Sequence, residues 1–233
     1  LFAPTASRSL DAYTTTRSHV LLTVLDNVAG RIVAWQAPSV GRGWTQREMA
    51  APNPGSAGTL SVGSWADSNL KSDSHAETYT VNYTDFLTPD SYLLGRTDTA
   101  VFETLKRRPA QFDAGGMKVE QHFAKSKDGI RVPYYVVWPT GAAADGANPT
   151  LLYGYGGFEV SQQPGYYAGF GAAWAQHGGV LVMANIRGGG EYGPAWHQAA
   201  IKANKQTSYD DFAAVTEDLI ARKITNPKQL GIM

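Results

Sequence analysis

Residues 188–193 are the first candidate for chemistry, because they read Gly-Gly-Gly-Glu-Tyr-Gly and fit the pattern G-x-G-x-x-G after a predicted strand. In a dinucleotide-binding protein these glycines let a pyrophosphate approach a helix N-terminus, and an acidic residue about 20 positions later binds the ribose. The acids at that distance, Asp210 and Asp211, begin a predicted helix instead of ending a second strand. The pattern therefore favours a glycine-rich connecting loop over a nucleotide site.

A second glycine-rich segment, residues 153–158, reads Tyr-Gly-Tyr-Gly-Gly-Phe and follows a predicted buried strand. Glycines at such a place let the backbone turn sharply and approach a ligand closely. In α/β-hydrolases the loop at this point supplies part of the oxyanion hole, and the O–H of Tyr155 is able to donate to a developing oxyanion. The spacing alone favours the alternative, in which both tyrosines pack beside a tight turn.

Two further polar residues lie near the glycine run of residues 188–193. Arg187 can bind a carboxylate, and His197 can act as a general base, although a single histidine beside Trp196 is more often structural. The other four histidines lack metal-ligand spacing such as H-E-x-x-H. Since the chain also contains no Cys, the sequence predicts no metal site and no disulfide.

The composition is that of a globular chain with balanced charge. The 233 residues contain 20 Lys and Arg against 20 Asp and Glu, so the formal net charge is +0. Because a nucleic-acid-binding surface needs clustered cations, we expect no nucleic-acid partner. The apolar runs fall short of the roughly 20 residues that cross a bilayer, and residues 1–4 do not resemble a signal peptide. We expect no membrane partner, while the compartment (cytoplasmic or periplasmic) and the oligomeric state stay open.

The first part of the chain, to about residue 113, has the pattern of β structure. Short runs rich in β-branched and aromatic residues alternate with turn signals such as Asp26-Asn27. Strands between turns are typical of a sandwich, a barrel or a propeller, and at roughly 40–45 residues a blade the segment would hold about two and a half blades. The predicted strands cover residues 19–25, 31–35, 59–65, 77–83 and 92–94.

The second part of the chain changes to a pattern of buried strands. Residues 129–139 are predicted to form a pair of strands after an Asp128-Gly129 turn. Residues 150–153 and 179–184 are apolar runs typical of strands that are buried on both faces of a parallel sheet. Residues 230–233 begin what is predicted to be another strand of that sheet.

A helix is predicted between the last two of these strands. Ser208 is the predicted N-cap, and Asp211 three residues later completes a capping box. An apolar stripe at helical spacing follows, formed by Phe212, Val215, Leu219 and Ile220. Strands that alternate with a helix indicate α/β architecture.

Taken in order, these segments resemble the prolyl oligopeptidase family. Both the order and the spacing match, most strongly over about residues 119–233 and more loosely in the β-rich part, best near residues 83–89. The similarity rests on residues 152–158 (Leu-Tyr-Gly-Tyr-Gly-Gly-Phe), 185–193 (Asn-Ile-Arg-Gly-Gly-Gly-Glu-Tyr-Gly), Trp196-His197, 203–206 (Ala-Asn-Lys-Gln) and 210–212 (Asp-Asp-Phe).

The resemblance implies the fold class and the domain organisation. Residues 1–113 are expected to be the C-terminal blades of an all-β propeller. Residues 114–233 are expected to be the N-terminal part of an α/β-hydrolase catalytic domain with a mostly parallel sheet.

The resemblance also implies an activity, the serine-type hydrolysis of short peptides, typically after proline, through an acyl-enzyme and without a metal or organic cofactor. It places an oxyanion-stabilising tyrosine at Tyr155 and a wall of the proline-binding pocket at Phe158, and it leaves His197 structural. Tyr-Gly-Gly-Phe at residues 155–158 favours proline over basic-residue specificity. The alternatives are an oligopeptidase or esterase of other specificity and a non-catalytic scaffold relative.

The catalytic triad is expected to lie outside these 233 residues. No serine of the sequence has glycine two positions away on both sides, as the G-x-S-x-G elbow of an α/β-hydrolase nucleophile requires. The resemblance places the catalytic Ser, Asp and His after Met233, so this segment alone is expected to be catalytically incomplete.

Overall fold

The computed structural model describes residues 1–67, 72–99 and 101–233. They form two units, one made of residues 1–109 with 163–166 and the other of residues 110–162 with 167–233.

The first unit contains two antiparallel sheets, in each of which consecutive strands pair with one another. One sheet comprises β1 (Arg8–Thr15), β2 (His19–Asp26), β3 (Ala29–Gln36) and β4 (Thr45–Glu48), and the other β5 (Gly58–Ser64), β6 (Thr78–Asp85), β7 (Ser91–Arg96) and β8 (Glu103–Arg107). Because a propeller blade is a four-stranded sheet, the described residues hold two sheets of blade size instead of the predicted two and a half.

A two-residue turn joins β2 to β3, at the position that the sequence predicted. Asp26 pairs with Ala29, and the two residues between them, Asn27 and Val28, have φ of 47° and 70°. Positive φ at both central residues is typical of the type I′ turn that suits a hairpin. Asparagine adopts this region readily and a β-branched valine rarely. The Val28 side chain is fully buried, so its burial offsets the backbone cost.

Apolar side chains from both sheets of the first unit share one core. Leu21 and Ile32 from the first sheet pack in the same cluster as Tyr79, Val81 and Leu93 from the second. The sequence predicted every strand that contributes a side chain to this core, whereas it did not predict β1, β4 and β8.

The second unit contains a five-stranded mixed sheet in the order β13-β11-β12-β10-β9. Its strands are β9 (Lys118–Lys125), β10 (Arg131–Trp138), β11 (Thr150–Gly154), β12 (Val180–Ala184) and β13 (Leu230–Ile232). Strands β12, β11 and β13 are parallel, β10 pairs antiparallel with β12, and β9 pairs antiparallel with β10. The predicted strand pair within residues 129–139 is wrong, because this run forms one strand, β10, whose hairpin partner is β9.

The helices of the second unit are α1 (Ala168–Ala173), α2 (Pro194–Gln198) and α3 (Gln206–Ala221). Helix α3 packs Val215 and Leu219 against the buried face of the sheet, as the apolar stripe predicted. The predicted capping box is wrong. The helix begins before Ser208, and the side chains of Ser208 and Asp211 are buried within it and bind Arg187. None of the helices in the described residues is long and apolar enough to cross a membrane.

Candidate active-site loop

Two glycine-rich loops leave the carboxyl ends of neighbouring parallel strands in the second unit. Strand β11 ends at Gly154 and β12 at Ala184, and these two residues pair in the sheet. The loops that follow, residues 155–162 and residues 185–193, therefore lie side by side at one edge of the sheet. In open α/β sheets this edge is where ligands bind.

The glycines at positions 188 and 190 allow the second loop to pack directly on the backbone of the first. A Cβ at Gly188 would collide with the carbonyl oxygen of Gly156, and a Cβ at Gly190 with that of Glu159. Gly188 also has a φ of 103°, which L side chains rarely adopt. The first loop thus occupies the space above these glycines, so the G-x-G-x-x-G pattern serves loop packing and not the binding of a pyrophosphate.

The first loop has an unusual backbone. Gly156, Phe158 and Glu159 have φ of 57°, 52° and 57°. For residues with a Cβ such a conformation costs about 1–2 kcal/mol each, and it persists only where the surrounding structure determines it. The loop that carries Tyr155 and Phe158 is therefore held in place by its contacts.

Contacts near the start of the loop come from the backbone and from two side chains. The Lys205 ammonium donates to the carbonyl oxygen of Gly156 at 2.5 Å. The Glu159 amide donates to the carbonyl oxygen of Gly188 at 3.2 Å, and His197 Nδ1 lies 2.6 Å from that same oxygen. His197 therefore has the structural role that was expected of it.

The end of the loop is held by two buried side chains. The Gln162 amide donates to Oε1 of Glu191 at 2.9 Å, and Asn185 Nδ2 donates to the carbonyl oxygen of Gln162 at 2.6 Å. Glu191 is only 1% exposed. Burial disfavours the charged carboxylate and raises the pKa of Glu191 to about 7.

Replacing Glu191 with Gln is expected to remove a pH dependence of stability. Between the ordinary pKa of 4.5 and the folded-state value of about 7, the folded protein retains a proton that the unfolded chain has released. The stability from this proton is fully present below pH 4.5 and is lost as pH rises through about 7. The loss is on the order of 3 kcal/mol, from about 1.4 kcal/mol per pKa unit.

The measurement is the free energy of unfolding in urea at about pH 5 and about pH 8. The wild-type protein should lose more stability between these values than the Gln variant. The exposed Glu217 of α3 provides a matched control, since its replacement with Gln should leave the wild-type difference unchanged. Equal losses in wild type and the Glu191 variant would contradict the shifted pKa.

Arg187 uses its guanidinium to bind two carboxylates of its own chain. Its Nε and Nη2 donate to the two carboxylate oxygens of Asp211 at 2.9 and 2.6 Å. Its Nη1 and Nη2 donate to Asp128 at 2.5 and 3.1 Å, and this pairing lowers the pKa of Asp128. Asp211 is fully buried and also accepts from Ser126 Oγ at 2.6 Å. The carboxylate-binding role considered for Arg187 is thus internal, and it ties the second loop to α3.

Tyr155 and Phe158 both lie on the first loop and both face solvent within the second unit. The Tyr155 side chain is 43% exposed and Phe158 is 85% exposed. The Tyr155 ring covers the backbone at Gly157, with Cε1 3.7 Å from where a Cβ would stand. The loop therefore carries both a hydrogen-bond donor, Tyr155, and an apolar ring, Phe158, at the carboxyl edge of the sheet. In the described parts of the chain, no group of three or more His, Asp or Glu side chains is placed to hold a metal.

Comparison with known proteins finds similarity to one family. The profile of the prolyl oligopeptidase family matches residues 168–233. An uncharacterized peptidase of Sinorhizobium fredii is 41% identical over 233 residues, which are 100% of this chain and 30% of that protein. A post-proline cleaving enzyme from Rickettsia typhi superposes with a TM-score of 0.80 at 33% identity, over 100% of this chain and 32% of that one. By sequence and by fold, the chain is similar to members of the prolyl oligopeptidase family. It spans about 30% of the length of two curated relatives whose alignments cover the whole of this chain.

Solved structures of the prolyl oligopeptidase family confirm the predicted fold class, β-propeller blades followed by the N-terminal part of an α/β-hydrolase domain. Prolyl oligopeptidase B from Galerina marginata superposes with a TM-score of 0.80 at 22% identity, over 98% of this chain and 31% of that one. It was solved with a 35-mer hydrolysis and macrocyclization substrate.

Three residues that hold the loop were not predicted as site residues. Lys205, Asn185 and Glu191 entered the sequence analysis only as parts of the segments that carry the prolyl oligopeptidase resemblance. A charged residue inside an otherwise apolar and glycine-rich segment, as Glu191 is, was the available signal, because such a side chain has to be satisfied if the segment is buried.

Proposed function

We propose that this chain is part of a serine-type oligopeptidase that hydrolyses short peptides after proline, through an acyl-enzyme and without a metal or organic cofactor. In this proposal residues 1–113 are the C-terminal blades of the propeller, and residues 114–233 are the first part of the catalytic domain. The observation that carries it is the strained loop of residues 155–162, fixed at the carboxyl edge of the sheet in a chain similar to members of this family.

Tyr155 is proposed to stabilise the oxyanion. When a nucleophile attacks a peptide carbonyl, negative charge develops on the carbonyl oxygen, and a fixed O–H donor lowers the energy of that state more than that of the substrate. Fixing the donor in advance matters, since its reorientation would otherwise raise the barrier. The Lys205 contact with Gly156 supports this role because it holds the residue that follows Tyr155.

Phe158 is proposed to form a wall of the pocket for the proline ring. Its exposed ring offers an apolar face, and a pyrrolidine ring can pack on it without leaving a polar group unpaired. A basic side chain would instead need a carboxylate partner in the pocket.

The test is the hydrolysis of paired fluorogenic peptides by the full-length protein, one with proline and one with arginine before the scissile bond. We expect the kcat/KM of the proline peptide to be higher by at least about tenfold, the scale of discrimination that pocket shape supplies. A serine-directed phosphonate should abolish the activity. A preference for arginine would support the oligopeptidase of other specificity, ester but not peptide hydrolysis would support the esterase, and no turnover with intact folding would support the scaffold relative.

A further inference from the structure

We propose that Glu191 is a positioning residue, which fixes the proline-binding part of the loop by holding the backbone of Gln162. The inference rests on the proposed function, because it assigns a consequence for peptide binding. It concerns the loop of residues 155–162, but the residue that holds this loop belongs to the neighbouring loop of residues 185–193.

The first step is that Gln162 is held on both sides of its backbone. Its amide donates to Oε1 of Glu191 at 2.9 Å, and its carbonyl oxygen accepts from Asn185 Nδ2 at 2.6 Å. Asn185 Nδ2 also lies 3.4 Å from the same Oε1. Both holding side chains are buried, Glu191 at 1% and Asn185 at 0% exposure. Inside a protein a hydrogen bond is electrostatically stronger than in water, so these buried contacts hold the Gln162 backbone firmly.

The second step is that Phe158 lies between this anchor and the one at Gly156. It comes directly before Glu159, whose amide donates to the Gly188 carbonyl oxygen of the loop that carries Glu191. Lys205 and close packing on Ile186 and Arg187 of the neighbouring loop fix the chain at Gly156, while Glu191 fixes it at Gln162. Phe158 and Glu159 keep positive φ in between, and for a side-chain-bearing residue that conformation relaxes when its support is removed. Loss of the second anchor should therefore move the Phe158 ring more than the Tyr155 hydroxyl.

The third step separates the two kinetic effects. A pocket wall contacts the proline ring in the bound substrate and in the transition state alike, so its displacement raises KM with little change in kcat. An oxyanion donor acts in the transition state alone, so its loss lowers kcat. Disturbance of Glu191 should consequently appear in KM, and the loss of the Tyr155 hydroxyl in kcat.

The experiment compares Glu191→Ala, Glu191→Gln and the control Glu217→Ala in the full-length protein with the proline peptide. The Ala variant should raise KM by about tenfold with kcat changed by less than about threefold. The Gln variant keeps an acceptor oxygen of the same reach and should restore KM to within about twofold of wild type. The control should match wild type. A wild-type KM in a folded Ala variant, or a Gln variant as impaired as the Ala variant, would overturn the proposal.

Hydrogen exchange at the Gln162 amide gives a readout that does not depend on activity. Exchange at this amide should be faster in the Ala variant than in wild type and the Gln variant, while the amides of β10 stay protected. If the Ala variant does not fold, Glu191→Asp takes its place, since it keeps the carboxyl group but retracts it by one methylene. A wild-type protein without peptidase activity contradicts the proposed function, and unchanged exchange at Gln162 contradicts the positioning role.

Discussion

Replacing Tyr155 with Phe in the full-length protein is expected to lower kcat about 10²–10³-fold for a proline-containing peptide, with KM close to the wild-type value. The substitution removes one oxygen and keeps the aromatic ring over Gly157, so the loop should keep its conformation. Tyr155 is 43% exposed. Its hydroxyl is proposed to contact only the developing oxyanion. Steady-state kinetics on the peptide give both constants.

Tyr209 provides the matched control for this experiment. It is an exposed tyrosine on α3 and not part of the loop of residues 155–162, and Tyr209→Phe should leave kcat unchanged. If Tyr155→Phe turned over peptide at the wild-type rate, the oxyanion assignment would be withdrawn, and Tyr155 would be a packing residue beside a tight turn. A rise in KM without a fall in kcat would move its role from the oxyanion to substrate binding.

Replacing Arg187 with Met is expected to destabilise the protein by about 3–5 kcal/mol. Asp211 is fully buried and receives two hydrogen bonds from the Arg187 side chain. Without them the buried carboxylate would keep the hydrogen bonds from the backbone amide of residue 187 and from Ser126 Oγ, but it would lose the positive charge that compensates its own. Urea denaturation of wild type and variant measures the difference in the free energy of unfolding.

The ion pair of Arg222 with Asp218 is the control for this prediction. It joins the same two residue types at 2.7 Å, but the Arg222 side chain is 42% exposed. An exposed pair of this kind contributes at most about 1 kcal/mol, so Arg222→Met should change stability little. Similar losses in the free energy of unfolding for the two variants would mean that burial does not determine how much the Arg187 ion pairs stabilise the protein.

The strands that could be predicted from the sequence are those that face a core on at least one side. β2, β6 and β10 carry runs of valine, leucine and tyrosine, because their side chains fill the cores of the two units. β4 and β8 lie at sheet edges and consist largely of exposed residues. An edge strand exposed on its faces needs only backbone partners, so its residues carry no apolar alternation.

The candidate site was predictable where a residue's own type carried the chemistry. Tyr155 offers a phenol and Phe158 an apolar ring, and both were named from the sequence through the family resemblance. The contacts that fix them join residues 29 and 49 positions apart, as Glu191 to Gln162 and Lys205 to Gly156 do. No local pattern encodes such pairs, because they depend on which strands become neighbours in the sheet.

The same reason explains the failed capping box. Ser208 and Asp211 have the types and spacing of a helix start, yet the helix begins at Gln206. Ser208 Oγ donates to the carbonyl oxygen of Arg187 at 2.7 Å, and Asp211 accepts from the Arg187 side chain. Tertiary hydrogen bonds to the backbone carbonyl oxygen and the guanidinium of Arg187 outweighed a local motif whose contribution is about 1 kcal/mol.

The backbone at Phe158 sets two demands on one residue. Its φ of 52° suits glycine or asparagine, while the proposed pocket needs an aromatic ring there. Selection for thermal stability alone would favour the smaller residues at this position, and selection for turnover would retain the ring at a standing thermodynamic cost. Position 158 thus combines an unfavourable backbone conformation with the ring that the proposed pocket needs, and contacts with the neighbouring loop hold that conformation in place.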